Sequence, residues 1–551
     1  MTLSQVYRGL VFSLTCSFPV WAQWSYPGCT DVTATSFSYA TIVPAAEIWE
    51  PSDLDLTLDA TGGVEIYYTE LDNNGAGDPR VRRRLANGTY ETLANLPIWQ
   101  GPYGGGQSDT EEGITGIALD PDFKTNHYVY IHWSPASASV FRISRFTVTG
   151  SKLTKERIVL DIPAQRQDCC HTGGGMAFDN QGDLWISQGN NRDRTPNGPP
   201  DQGIDEGASG PYSSDEGGAA NTNALVGGIL RIHPTDSGTP TYTKVAGNFV
   251  DYFGDATKVR PEVYTKGSRN AYKLAVDPVR RWVAWGDVGP DGPTASGSNV
   301  HEEFNLRTTP AFMGWPYFVG KNLAYSFSGS AEDVNAPTNN SKWNTGMTTL
   351  PPATEAFYSE SQGANTGVAF YQYNPLSKLA GKFPPHFHQK WFYASWSSNQ
   401  VNVIETNENG TAMVSRKRIF TNASFNGPTA MKFGPDGNLY IANYNGLFTS
   451  GAARGIVKVA YTGPDCNPVS IRPYEYNLNP NSRFVQSLQG WVVHLRSGRP
   501  ILVPKGVVGF SVYDLRGHQI WGIKNLRMGQ EFTLPKSLPQ GAMKYRWMPT
   551  K

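Results

Sequence analysis

Excess charge of either sign is missing from this chain. Lys plus Arg number 47 and Asp plus Glu 47, together 17% of 551 residues. That balance leaves no basic footprint for nucleic acid and no patch for an acidic membrane surface. Long apolar runs are missing too. Past residue 22, no stretch approaches the roughly 18 apolar residues that span a bilayer, so no transmembrane segment is expected. Long helices fit poorly, because 58 Gly and 39 Pro punctuate the chain. With 12% aromatics, the composition favours many short strands joined by elaborate turns. The length is ample for one large core and a smaller second domain.

Cysteine is scarce, five in all, and Cys16 falls in a segment that reads as a secretory signal. In residues 1–22 the lone charge is Arg8, "GLVFSLTCSFPV" is the apolar run, and Val20-Trp21-Ala22 forms a small-residue cleavage site. A periplasmic, secreted or cell-surface location is therefore expected. Four cysteines remain, and an even count in an oxidising compartment points to disulfides. Three pairings are open. Cys29–Cys466 would tie the two ends of the main domain and leave Cys169–Cys170 as a bond between neighbours, a strained ring of the kind found at functional sites.

Four segments share a rhythm: "IALDPDFKTNHYVYIHW", "MAFDNQGDLWISQGN", "LAVDPVRRWVAWGD" and "MKFGPDGNLYIANY". Each is a short apolar strand, a turn rich in Asp, Pro, Asn or Gly, then an alternating aromatic strand, which is a hairpin signal. Antiparallel hairpins repeated over so long a span predict an all-β fold, a β-propeller over 23–466; an array of β-sandwiches is the alternative. Long polar stretches interrupt the rhythm; the longest, 190–223, is expected to cover a site, and it and 326–344 to supply substrate contacts. After a linker at 467–485, residues 486–551 read as a small β-sandwich-like domain. "YDLRGHQI" and "LPKSLPQGAMKYRW" resemble C-terminal sorting tails of some Gram-negative export systems, which implies export machinery as a partner.

Chemistry concentrates in three places. In "DCCHTGGGMAF", His171 precedes glycines that allow unusual dihedrals or close approach of a ligand, and a histidine there can accept a hydroxyl proton. Cys169, Cys170 and His171 are consecutive and cannot readily surround one tetrahedral ion. In "PEVYTKGSRNAYKLAVDP", Arg269-Asn270 occupies a turn from which an arginine can stabilise developing oxyanion charge. In "WGDVGPDGPTASGSNVHEEFNL", Asp287, Asp291, Glu302 and Glu303 cluster with turn carbonyls, hard oxygen ligands of the type calcium takes.

Together with "EEGITGIALDPDF" and "MGWPYFVGKN", these stretches resemble, in order and content, the glucose/sorbosone dehydrogenase family over Glu111–Thr462. "CCHTGGGMAFD" is similar to a branch found in environmental bacteria. The resemblance implies a six-bladed propeller that oxidises a sugar with pyrroloquinoline quinone (PQQ) and Ca2+ as cofactors. It makes His171 the general base for the C1 hydroxyl while hydride passes to the quinone. Arg269 becomes the stabiliser of the reduced quinone oxygen, and Asn270 and Glu111 become cofactor contacts. The Gly289 and Pro290 carbonyls become calcium ligands, with Asp287, Asp291 and Glu303 as nearby oxygen donors. Trp315 of the "GWP" motif is expected to pack, and Cys169–Cys170 to fix the turn bearing His171 or to stack on the cofactor. An external electron acceptor is implied, since no haem-attachment motif is present.

Two departures stand out. The family orients its histidine with the aspartate of a "GD" pair, and here the pair is Gly189-Asn190, so Asn190 takes that role without a charge. The cationic grip on the quinone carboxylates falls at Ser397, Asn426 and Pro428, none of them charged, with Arg418 or Lys432 as candidate substitutes. Two further readings therefore accompany the dehydrogenase: a non-catalytic carbohydrate- or protein-binding propeller, and a calcium-dependent sugar-lactone hydrolase.

Overall fold

The computed structural model describes residues 32–71, 79–101, 111–167, 170–192, 210, 212, 214–290, 302–325, 333–361, 363–374, 377, 379–445, 453–464 and, beyond these, five C-terminal strands. Six antiparallel sheets follow one another along the chain, each beginning at the centre of the molecule. Their innermost strands are Pro51–Leu58, Ile114–Leu119, Met176–Phe178, Ala271–Val276, Asn365–Phe370 and Pro428–Phe433. Each packs against the next, and the sixth packs against the first, so the sheets form a closed ring of six blades. The sixth blade has only three strands from its own stretch of chain. Its fourth is Phe37–Val43, which pairs antiparallel with Gly455–Tyr461 from Phe37 opposite Tyr461 onward. An N-terminal strand thus completes the last blade and leaves the ring without an open edge.

All four recurring segments are the two inner strands of a blade, the second, third, fourth and sixth. The shared aspartate explains the turn. Asp120, Asp179, Asp277 and Asp436 each accept, through Oδ1, the backbone N–H two residues on, at 2.9, 2.9, 2.8 and 3.2 Å, an Asx turn that reverses the chain. Asp179 also joins neighbours, since its Oδ2 accepts Arg281 Nε of the fourth blade at 2.7 Å. The two blades missing from the sequence rhythm are also accounted for. The first turns at "LDATGG" with the same aspartate logic, Asp59 accepting Thr61 N at 2.8 Å. In the fifth, residues 371–390 separate Asn365–Phe370 from its partner Trp391–Ser395.

The alternating aromatic strands fill the spaces between blades. Trp185, Trp285 and Trp391 occupy the second strands of the third, fourth and fifth blades, and all three are fully buried. The closing strand is anchored likewise: the Phe37 ring meets Phe420 edge-on at 4.8 Å and Phe383 at 5.1 Å.

The third and fourth blades are further interlocked. After its third strand, Glu302–Arg307, the fourth blade sends out an excursion before its outer strand Tyr358–Glu360. Within it, Ala311–Phe312 pairs in parallel with Val263–Lys266 of the third blade. The third blade carries its own insertion, of which 214–227 is described and largely buried. These long segments, expected to cover a site or to contact substrate, are at least partly a packed layer of their own.

In the C-terminal part, Val507–Tyr513 pairs antiparallel with both Gln519–Lys524 and Lys544–Pro549, and Pro500–Leu502 pairs with Glu531–Thr533. Antiparallel strands are present within 486–551, while the 467–485 linker, the 1–22 signal segment, Cys29 and Cys466 lie outside the described residues. Among those residues no helix is long and apolar enough to cross a membrane.

Trp391 packs against Phe370 with ring centroids 4.6 Å apart and has no exposed surface. Trp391→Ala is expected to lower stability by about 3–5 kcal/mol through lost burial and the cavity left behind, seen as a lower midpoint of thermal unfolding.

Candidate functional site

His171 sits on a sharp turn. Cys170 and His171 both adopt left-handed backbone angles, φ 86° and 52°, a conformation held only where surroundings enforce it. The chain then enters the third blade's inner strand through glycines. At Gly174 (φ 98°) a Cβ would lie 2.3 Å from Thr115 Oγ1, and at Gly189 it would lie 2.1 Å from the His171 carbonyl oxygen. At both positions only glycine leaves room for the neighbouring atom. Cys170 is disulfide-bonded and packs against Trp99; its partner lies outside the described residues, as do Cys169 and the expected Cys169–Cys170 and Cys29–Cys466 pairings.

Backbone hydrogen bonds then draw four segments together. Asn191 N donates to the His171 carbonyl at 3.1 Å, Asn190 N to that of Arg269 at 2.8 Å, Gly227 N to that of Gly189 at 2.9 Å, and Ser268 N to that of Gly227 at 3.2 Å. Within this frame His171 Nδ1 lies 2.7 Å from Asn190 Oδ1. The Arg192 backbone N–H donates to the same oxygen at 3.1 Å, and Asn190 Nδ2 lies 2.5 Å from Asp215 Oδ1. An amide N–H must supply the carboxylate and an oxygen must receive the backbone donor, so the orientation of the Asn190 amide is fixed. His171 Nδ1 therefore carries the hydrogen, and in the neutral form of the ring Nε2 is the proton-accepting nitrogen.

Glu111 bridges to the neighbouring blade. It accepts Thr172 N at 3.2 Å, and Asn270 Nδ2 approaches its two oxygens at 3.4 and 3.5 Å. Arg269 donates to the Val288 carbonyl at 2.9 Å, with its guanidinium 6.0 Å from the Trp315 ring centroid. Arg269, Asp287, Gly289, Pro290, Glu303 and Trp315 line a small, narrow cleft. His171 is not among the lining residues; Thr172, Glu111 and Asn270 connect it to them. Trp315 packs as expected, against Tyr325 at 5.0 Å, and also forms part of the cleft wall.

The carboxyls at the cleft are busy. Asp287 Oδ1 accepts Asn270 N at 2.7 Å. Glu303 accepts Gly320 N at 2.6 Å and Asn305 Nδ2 at 2.8 Å. Glu302 accepts Gly289 N at 3.3 Å and Asn365 N at 3.2 Å. Among the described residues no three His, Cys, Asp or Glu side chains converge on one point, and Asp291 lies outside them. Burial pushes Glu302 up to about 7. It raises Asp287 and Glu303 as well, with the Asp287 charge adding to the rise at Glu303.

The sequence-expected substitutes for a cationic grip do not reach this region. Arg418 lies exposed on Met413–Ile419, the outermost strand of the fifth blade, and a propeller's outer strands form its rim. Lys432 is ion-paired with Asp55 at 3.2 Å. Ser397 and Asn426 are in turns, where Ser397 N donates to Gly363 and the Asn426 carbonyl accepts Asn445 N, and Pro428 opens the sixth inner strand.

The family profile described as "Glucose / Sorbosone dehydrogenase" matches residues 81–448, well over half of the chain. The chain belongs to the glucose/sorbosone dehydrogenase family. The "Aldose sugar dehydrogenase YliI" of Escherichia coli is 24% identical over 405 residues, 69% of this chain and 90% of that protein. An uncharacterized protein of Synechocystis is 28% identical over 206 residues, 37% of this chain and 43% of that one. Among solved structures, a putative oxidoreductase (glucose dehydrogenase) of Thermus thermophilus superposes with a TM-score of 0.51 at 22% identity, covering 77% of this chain and 99% of that one. The last agreement concerns the fold. Family membership supports an oxidoreductase of the sugar dehydrogenase kind. Asp215, the residue that completes the histidine's surroundings in this family member, went unread in the sequence: it sits inside a long polar insertion and only the folded chain brings it to Asn190.

A carboxyl whose folded value lies above its unfolded one lends stability that is complete below the usual carboxylate range and is lost as pH rises through the raised value. Cation-free protein is therefore expected to show a falling thermal midpoint between about pH 5 and 8. Glu302→Gln, which keeps an oxygen for Gly289 and Asn365, is expected to flatten that slope; an unchanged slope would remove Glu302 as its source.

Proposed function

We propose that this protein is an exported sugar (aldose) dehydrogenase that uses PQQ and Ca2+. The observation that carries the reading is the buried hydrogen bond from His171 Nδ1 to Asn190, which leaves Nε2 as a base. The residues suit both cofactors. Raised carboxyls crowd the Gly289–Pro290 segment, and a divalent cation held by those two backbone carbonyls would favour their ionised forms. Arg269 presents a cationic side chain on the cleft wall for an anionic quinone, with Asn270 as its neighbour. Bound PQQ, polarised by calcium, supplies the two-electron acceptor that protein side chains lack.

The chain's own residues do the rest. His171 Nε2 takes the proton of the sugar C1 hydroxyl as the C1 hydride leaves. General-base assistance of this kind contributes about 10²–10⁴-fold. Arg269 stabilises negative charge developing at the acceptor. Asn190 holds the ring in its tautomer. With uncharged residues at Ser397, Asn426 and Pro428, the grip on the cofactor rests on Arg269 and the calcium, and calcium dependence should be correspondingly strong. Residues 1–22 act as the export signal, the C-terminal β-unit as a sorting tail, and a separate protein as electron acceptor. The same uncharged positions favour the second reading, a carbohydrate- or protein-binding propeller without turnover.

Calorimetric titration of the mature protein with PQQ separates the two. Binding in calcium that is lost on adding chelator is expected; no heat in either condition would leave the non-catalytic reading standing. With an artificial acceptor and a panel of aldoses, His171→Ala is expected to abolish turnover, a loss of at least about 10²-fold, while PQQ still binds. Full activity in that variant would take His171 out of the mechanism.

A further inference from the structure

The charge missing from position 190 is present one residue further out. His171, Asn190 and Asp215 are 4%, 3% and 4% exposed. They are joined in line by the 2.7 Å contact from Nδ1 to Oδ1 and the 2.5 Å contact from Nδ2 to the Asp215 carboxylate. We propose that Asp215 is a positioning residue for His171, acting through the Asn190 amide to stabilise the imidazolium formed when the base takes a proton. This rests on the reading of His171 as the base.

The physical basis is polarisation. A carboxylate accepting the amide N–H makes a charge-assisted hydrogen bond and draws negative density onto Asn190 Oδ1, where the ring N–H donates. In a buried chain of hydrogen bonds each link strengthens the next. The asparagine fixes the tautomer, and the aspartate supplies a charge that an amide alone lacks.

The segment carrying Asp215 is clamped, so the carboxylate is held where it is needed. The buried Lys266 ammonium donates to the carbonyls of Gly218 at 3.1 Å and Ala224 at 3.2 Å, and also to that of Val226. Tyr317 OH donates to Glu216 Oε1 at 2.7 Å, and Asn339 Nδ2 donates to the Glu216 carbonyl at 2.8 Å. Both come from the fourth blade's excursion. The Asp215 carbonyl accepts Ala220 N at 2.9 Å. Among the described residues, charged groups near the histidine include Glu111, which accepts the Thr172 amide, and Arg192 and Arg269, whose backbones bond to Asn190.

The test is the ring titration of His171 by NMR in the full mature chain without cofactor, which does not depend on turnover or on PQQ binding. Asp215→Asn keeps an oxygen to accept the Asn190 amide and removes the charge. The His171 pKa is expected to fall by about one unit, tenfold in proton affinity. In active protein the acid limb of kcat/KM is expected to move down with it. Should Asp215→Asn fail to fold, Asp215→Ser, which leaves the Asn190 contact to the ring in place and removes the charge, carries the same expectation. A folded variant whose His171 titrates as in the wild type would overturn the proposal. A shifted titration in a protein that oxidises no sugar would leave the relay standing and count against the dehydrogenase reading instead.

Discussion

Seven residues near the N-terminus, Phe37–Val43, run along Gly455–Tyr461 and turn a row of six sheets into a ring. Without that pairing the sixth blade would have three strands, an unpaired edge and an exposed Phe37 cluster. With it, every inner strand has two neighbours, and the turns that feed those strands are held at fixed positions around the centre. The site is built from such turns. His171 precedes the third inner strand, Asn190 follows that strand's partner, and Arg269 and Asn270 precede the fourth. None of these side chains is placed by a local motif alone.

Close approach is the second constraint. Between the second, third and fourth blades, backbones lie near enough that a Cβ at Gly116 would meet the Gly174 carbonyl and one at Gly175 would meet the Lys273 backbone. The glycines after His171 therefore serve packing first, and the left-handed turn that presents the imidazole is a consequence of how the strand must enter. A polar site results in which hydrogen bonds, and not flexible side chains, set the geometry.

Much of this was legible in the chain. The hairpins of the second, third, fourth and sixth blades announced themselves because an aspartate turn followed by alternating aromatics is a local signature, and local signatures survive in sequence. The fifth blade did not, because residues 371–390 separate its first two strands. His171, Asn190, Arg269 and Asn270 were readable since each sits beside a strand boundary within a motif. Asp215 was not, because its role depends on a contact across an insertion of low complexity and on the fourth blade holding that insertion down. The two candidate cations fail for a similar reason. Arg418 and Lys432 have the right charge, but strand order puts one at the rim and an aspartate neutralises the other.

The excursion from the fourth blade onto the third has a bearing on how such a protein can be rebuilt. Lys266, Tyr317 and Asn339 bind the third blade's insertion from outside it, and Ala311–Phe312 extends the third sheet in parallel. The smallest exchangeable module in this region is consequently a pair of blades. A chimera that transplants the third blade alone would keep the Lys266 clamp but lose Tyr317 and Asn339, which hold Glu216 beside Asp215, whereas grafting residues from Met176 through Glu360 carries the lock together with its key.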